Sequence, residues 1–173
     1  MKRKHLPLLV AVILCMAAIL PASAQKQRAR VYGIAFYNLE NLFDTINNNG
    51  KYDLEFSPKG KYAWDGKKYW KKINNMAYAI SRLTTDKTPD GPAVIGVSEI
   101  ENISVLQDLV KAEPIAARGY KIVHHDSPDL RGVDVGLLYN PKQFRVLTVT
   151  NHRLNIPSKP NFKTRDQMCV VGL

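Results

Sequence analysis

Ten residues, Ala93 to Asn102, constrain the fold of this chain more than any other stretch. Their order, Ala-Val-Ile-Gly-Val-Ser-Glu-Ile-Glu-Asn, is a buried-strand pattern that runs straight into an acidic cluster. Val94, Ile95 and Val97 form the short apolar run that central strands of covered α/β sheets show, and Gly96 lets a neighbouring backbone come close. Glu99 is then expected at the strand's C-terminal end, the edge of an open α/β sheet where ligands bind. Two readings of Glu99 stand at this point: a functional carboxylate, or a solvated acid capping the helix that follows.

The upstream chain supplies a partner for that strand. Val31 to Tyr37 is rich in β-branched and aromatic residues and reads as a strand, with Asn38, Glu40 and Asn41 at its exit. If the two strands are parallel neighbours, Glu40 and Glu99 share one rim with Asn38. Such a pair suits Mg²⁺, a hard cation held by one or two carboxylates, with water and substrate phosphate completing the shell. Between them, Phe43 to Lys68 lacks any sustained period and reads as a long surface loop. Its Asp53 and Glu55 are only a fragment of a calcium loop. Tyr69, Ile73, Met76, Ile80 and Leu83 recur at helical spacing, and Lys71, Lys72 and Asn75 lie on the other side, the lysine-rich region reading as a solvated face. The segment is thus a β-loop-α-β crossover.

Downstream, Ser104 with Gln107 forms a capping box for a second helix with Val105, Leu106, Leu109 and Val110 as its apolar face. Tyr120 to His124 reads as a third strand. His124 and His125 are adjacent, so strand geometry sends them to opposite faces, and they are expected as surface or loop residues. Asp126 to Asp134 is a turn-rich loop that delivers Arg131 and Asp134 to the strand Val135 to Tyr139. Arg131 either grips phosphate in a fork or pairs with Asp134. Phe144 to Thr150 should then continue an antiparallel meander, and Met168 to Val171 is a last apolar strand.

Targeting and composition bound the rest. Lys2, Arg3 and Lys4, the apolar run Leu6 to Leu20 and Ala22-Ser23-Ala24 read as a secretory signal over residues 1–24, which predicts a secreted or periplasmic protein with no stable membrane anchor after cleavage. Residues 25–30 are a flexible lead, and 31–173 form one domain. The net charge of +10 falls to about +7 without the three signal cations, a balance that favours polyanionic partners. Cys169 alone remains after cleavage, which excludes an internal disulfide, and its apolar strand predicts a buried thiol. The chain stops at Leu173 inside an apolar run, so the sequence is expected to be the N-terminal half of something longer.

Four stretches in order, Phe-Tyr-Asn-Leu-Glu-Asn-Leu-Phe-Asp (36–44), Val-Ser-Glu-Ile-Glu-Asn (97–102), Arg-Gly-Val-Asp-Val-Gly-Leu-Leu-Tyr-Asn-Pro (131–141) and Thr-Arg-Asp (164–166), resemble the endonuclease/exonuclease/phosphatase family, in particular exported bacterial members. The resemblance implies an α/β fold, here the N-terminal half of a four-layer α/β/β/α sandwich with a mixed sheet and flanking helices. It implies cleavage of phosphate esters with Mg²⁺ or Mn²⁺, on substrates that include DNA, RNA, inositol phosphates and sphingomyelin. By position, Asn38 matches the asparagine that orients phosphate and attacking water, Glu99 the principal metal-binding glutamate, Glu40 an acid near the metal and Arg165 a phosphate-contacting arginine. Arg131 and Asp134 belong to a motif of the bacterial group and are taken as substrate-binding. The family's later histidine, its Gly-Asp-x-Asn segment and its Asp-His pair do not occur in residues 1–173, so this chain by itself is expected to be inactive. The competing class is a non-catalytic, exported polyanion-binding protein.

Overall fold

In the computed structural model, residues 30–46 and 53–173 are described, and the unit Val31–Leu173 holds all the elements below. The expected signal over residues 1–24, the expected flexible lead up to residue 29 and residues 47–52 lie outside the described residues. Strand β1 (Ile34–Leu42) and strand β2 (Val94–Ile100) are parallel neighbours, with Ile34 opposite Val94 and Asn38 opposite Ser98. Helix α1 (Gly66–Ser81) makes the crossover between them, as the sequence pattern requires. The sheet is mixed: its order is β1-β2-β4-β3, where β3 (Lys121–His124) and β4 (Asp134–Tyr139) are both antiparallel to their neighbours.

Local sequence explains each helix. Asp65 is extended and its side chain accepts the backbone N–H of Lys68, satisfying one of the first-turn donors of α1. Tyr69, Ile73, Met76, Ala77 and Ile80 then fall three or four residues apart and are buried, while Leu83 lies beyond the helix end and is exposed. The guanidinium of Arg118 donates to the carbonyls of Ile80 and Ser81, closing that end. Helix α2 (Ile103–Lys111) is capped by Asn102, whose side chain accepts from Ser104 and Val105, so the capping box expected at Ser104 is replaced by an amide cap two residues earlier. A short turn of helix, α3 (Glu113–Ala116), carries Pro114 near its start.

The helices share a core with one face of the sheet. Leu39, Leu42, Ile95, Val97, Ile100 and Leu138 meet Ile73, Ile80, Leu106, Leu109 and Ile115 there. Burying each such side chain contributes about 1.5–3 kcal/mol before conformational entropy is subtracted. The opposite sheet face keeps Ile34 at 82% and Phe36 at 72% exposure. Gly96 lies on that face, and a Cβ there would sit 2.6 Å from Cδ2 of Phe36, so what approaches the glycine is an aromatic side chain and not backbone.

Two expectations about the C-terminal part need correction. Strand β5 (Val146–His152) pairs only with β6 (Gln167–Gly172), forming a separate two-stranded ribbon instead of continuing a meander from β4. Phe144 packs edge-on against Tyr139 where the chain leaves the main sheet. Cys169, expected to be buried, is exposed on that ribbon. Among the described residues no helix is long and apolar enough to cross a membrane.

Candidate phosphate and metal site

The parallel pairing of β1 with β2 brings the two acidic exits to one rim. Past Asn38 the β1–β2 register shifts, and Glu40 and Asn41 take left-handed backbone angles, φ +50° and +57°. Glu99 does the same at φ +60°. A non-glycine residue in this region costs on the order of 1 kcal/mol or more and persists only where surrounding bonds hold it. At Glu40 and Asn41 those bonds are present. The Asn38 side-chain oxygen accepts the N–H of Glu40 at 2.8 Å, and the Lys72 ammonium donates to the carbonyls of Glu40 at 2.5 Å and Asn41 at 3.1 Å.

Behind the rim, Asp44 joins the two exits. Its N–H donates to Glu101 Oε2 at 2.7 Å, and its carboxylate accepts from Ile46 N at 2.6 Å and Asn102 Nδ2 at 2.9 Å. The indole N–H of Trp64 donates to the carbonyls of Phe43 and Asp44. Much of the loop expected over 43–68 is therefore ordered around buried Trp64, with Phe56 stacked on Phe43.

Both rim carboxylates act on Lys72. Burial lowers the Lys72 ammonium below its ordinary value, and the negative charges of both Glu40 and Glu99 push it back up. The hydrogen bonds of that ammonium go to the backbone carbonyls of Glu40 and Asn41, and neither carboxylate takes one of them. The donor set is all oxygen, which suits Mg²⁺ or Mn²⁺. Lys72, which helical periodicity placed on a solvated face, thus holds the backbone of the rim. Nothing in a helical wheel signals that two carbonyls converge on its tip.

The arginines come together through a residue the sequence did not single out. Arg131 does not pair with Asp134. Its guanidinium lies 3.5 Å from Asp129 Oδ1 and 4.0 Å from Glu99 Oε1, and Arg165 lies 3.8 Å from Asp129 Oδ2. Asp129 also accepts the N–H of Arg131, the Asx turn that the motif Asp-Leu-Arg-Gly could have signalled. Gly132 completes the turn at φ +67°. Asp134 is buried, and its Oδ1 accepts from the N–H and hydroxyl of Ser127.

Of the two histidines only His124 departs from expectation. His125 is half-exposed and lies 3.6 Å from Asp166, whose other oxygen meets Arg153 at 3.4 Å. His124, read as a surface or loop residue, has a side chain only 5% exposed and faces Asp134 and Asp126. A broad groove of about 480 Å³, lined by Tyr37, Glu40, Trp64, Lys68, Lys71 and Lys72, opens beside the rim.

The sequence model of the endonuclease/exonuclease/phosphatase family matches residues 33–173, which takes in every element described above. Comparisons with curated proteins and with solved structures gave no match. A mixed α/β sheet with acid, amide and arginine groups gathered at one rim agrees with that assignment: the chain belongs to the endonuclease/exonuclease/phosphatase family.

Proposed function

We propose that this protein is an exported, metal-dependent phosphoesterase that hydrolyses phosphodiester or phosphomonoester bonds, with nucleic acid as its favoured substrate. Family membership carries phosphoester-cleaving chemistry in general terms. One observation carries the finer reading: parallel β1 and β2 gather Asn38, Glu40 and Glu99 at a rim where Arg131 stands 4.0 Å from Glu99.

Each residue has a chemical role there. Glu99 and Glu40 hold Mg²⁺ or Mn²⁺, which when bound supplies a Lewis acid at the phosphoryl oxygen. Asn38, its carbonyl engaged with Glu40, offers its amide N–H groups to phosphate or to the attacking water. Arg131 and Arg165 grip phosphate oxygens, with Asp129 setting their spacing. Asp134 works from behind, anchoring Ser127 and with it the loop that carries Arg131. Lys68 and Lys71 in the adjoining groove favour a substrate with more than one phosphate.

That lysine-lined groove also favours the second reading, a polyanion-binding protein without catalysis. Hydrolysis of labelled DNA and RNA by protein expressed from the whole reading frame separates the two. The proposal expects Mg²⁺-dependent cleavage, abolished by chelator and reduced at least about 10²-fold by Glu99→Gln. Binding that is indifferent to chelator and to Glu99→Gln, with no cleavage, would refute it.

A further inference from the structure

We propose that His124, Asp134 and Asp126 form a second divalent-cation site, of the imidazole-plus-carboxylate kind that takes Zn²⁺, Mn²⁺ or Co²⁺, on the helix-facing side of the same sheet edge. It does not rest on the role given to Glu99. One ligand atom from each of the three residues lies within 4.8 Å of the others. Within that group Nε2 of His124 is 3.3 Å from Asp134 Oδ2, yet this buried nitrogen has no hydrogen-bond partner. The two atoms are close without being aligned for a proton between them. Side-by-side donors about 3.3 Å apart are what a tetrahedral ion with bonds of roughly 2.0–2.1 Å places along one edge.

The surroundings prepare the site. Asp134 Oδ1 is engaged twice by Ser127, which fixes the carboxylate and turns Oδ2 toward His124, the second-shell support that ligating carboxylates receive. His124 is placed by its register with Gly136 in β4, two residues along from Asp134, on the strand next to its own. An unsatisfied imidazole nitrogen in such a place is costly, and an ion removes that cost. Asp126 lies 3.8 Å from Nδ1 with a side chain 88% exposed, so it can swing over the ion on the Nε2 edge and leave the remaining position to water. Asp166 offers no such opening, because His125 and Arg153 already flank its two oxygens.

The test is metal binding by the full chain, read without reference to activity. Co²⁺ titration followed by visible absorption, with Zn²⁺ competition, should report one site with nitrogen ligation. His124→Gln should abolish that spectrum, Asp126→Asn should weaken Co²⁺ at least about tenfold, and Glu99→Gln should leave it unchanged. Asp126 is exposed, so its variant folds whatever becomes of the buried histidine. In the wild-type protein, ¹⁵N NMR should show the His124 Nε2 resonance moving on Zn²⁺ addition. A Co²⁺ spectrum that is absent, or unaltered by both His124→Gln and Asp126→Asn, or a His124 resonance that responds to pH but not to Zn²⁺, overturns the proposal. Loss of the spectrum in Glu99→Gln alone also overturns it, and that outcome leaves the phosphoesterase reading standing.

Discussion

The bond between Asp44 and Asn102 offers a sharp test of how the rim is held, because both side chains have fixed polarity. Asp44 Oδ1 accepts from Ile46 N and Oδ2 accepts from Asn102 Nδ2, while Asn102 Oδ1 caps the helix at Ser104 and Val105. In Asp44→Asn the new amide must keep its oxygen toward Ile46, so its NH₂ meets the NH₂ of Asn102. Neither group can turn over without breaking another bond. Replacing a charge-assisted hydrogen bond by opposed donors should cost about 1–3 kcal/mol, or about 2–4 °C in Tm for each kcal/mol at this chain length. Asn102→Asp alone keeps the helix cap but sets two carboxylates within about 3 Å, at a similar cost. In the double variant the new amide donates to the new carboxylate, and both ends of the pair are satisfied again. Urea or thermal denaturation of the four proteins should give a favourable coupling of at least about 1 kcal/mol. Additive losses with coupling under about 0.5 kcal/mol would mean that this bond does not join the two strand exits.

Three further outcomes follow from the fold. Burial, reinforced by the bond to Asp108, pushes the Tyr69 hydroxyl above its usual value, so its contribution to stability is complete below pH 10 and is lost as pH rises further; a stability–pH profile in which Tyr69→Phe fails to flatten that alkaline decline contradicts the assignment. Gly60→Ala would drive a Cβ to 2.1 Å from the Leu54 carbonyl oxygen, with Glu55 backbone also inside contact, and should destabilise the 53–64 segment by about 1–3 kcal/mol, seen as faster amide exchange around Trp64. Cys169 should be modified by a maleimide in the native protein without denaturant, and protection to the level of a core thiol would show that the ribbon is covered.

What the sequence revealed and what it hid divide along the range of the interactions. The crossover from β1 to β2 was legible because a buried-strand run, an amphipathic stripe and another strand in succession admit few arrangements. That alone placed Asn38, Glu40 and Glu99 on one rim. The cap of α2 was placed two residues late, because Ser104 with Gln107 satisfies the local pattern, whereas the Asn102 oxygen takes the first N–H groups while its amide reaches back to Asp44, distant in the chain. The meander failed because β4 inserts between β2 and β3, a pairing to which the turn at Asn140-Pro141 gives no clue. For the histidines the alternation was sound, with His125 outward and His124 inward. What it could not show is that Asp134, from the neighbouring strand, stands behind the inward one. Lys72 and Asp129 were missed for the same reason, since their importance lies in partners distant in the chain or on the far side of a turn.

The pairing of β1 with β2 has a kinetic consequence. Ile34 and Val94 are roughly sixty residues apart in sequence, whereas Lys121 and Tyr139, which pair β3 with β4, are separated by fewer than twenty. Closing the larger loop costs more entropy before any contact repays it, so the antiparallel pair should form early and the parallel pair late. The carboxylates at the rim would then meet only at the last stage of assembly, and a divalent ion present during refolding should slow the escape of Glu40 from Glu99 more than it hastens their first encounter.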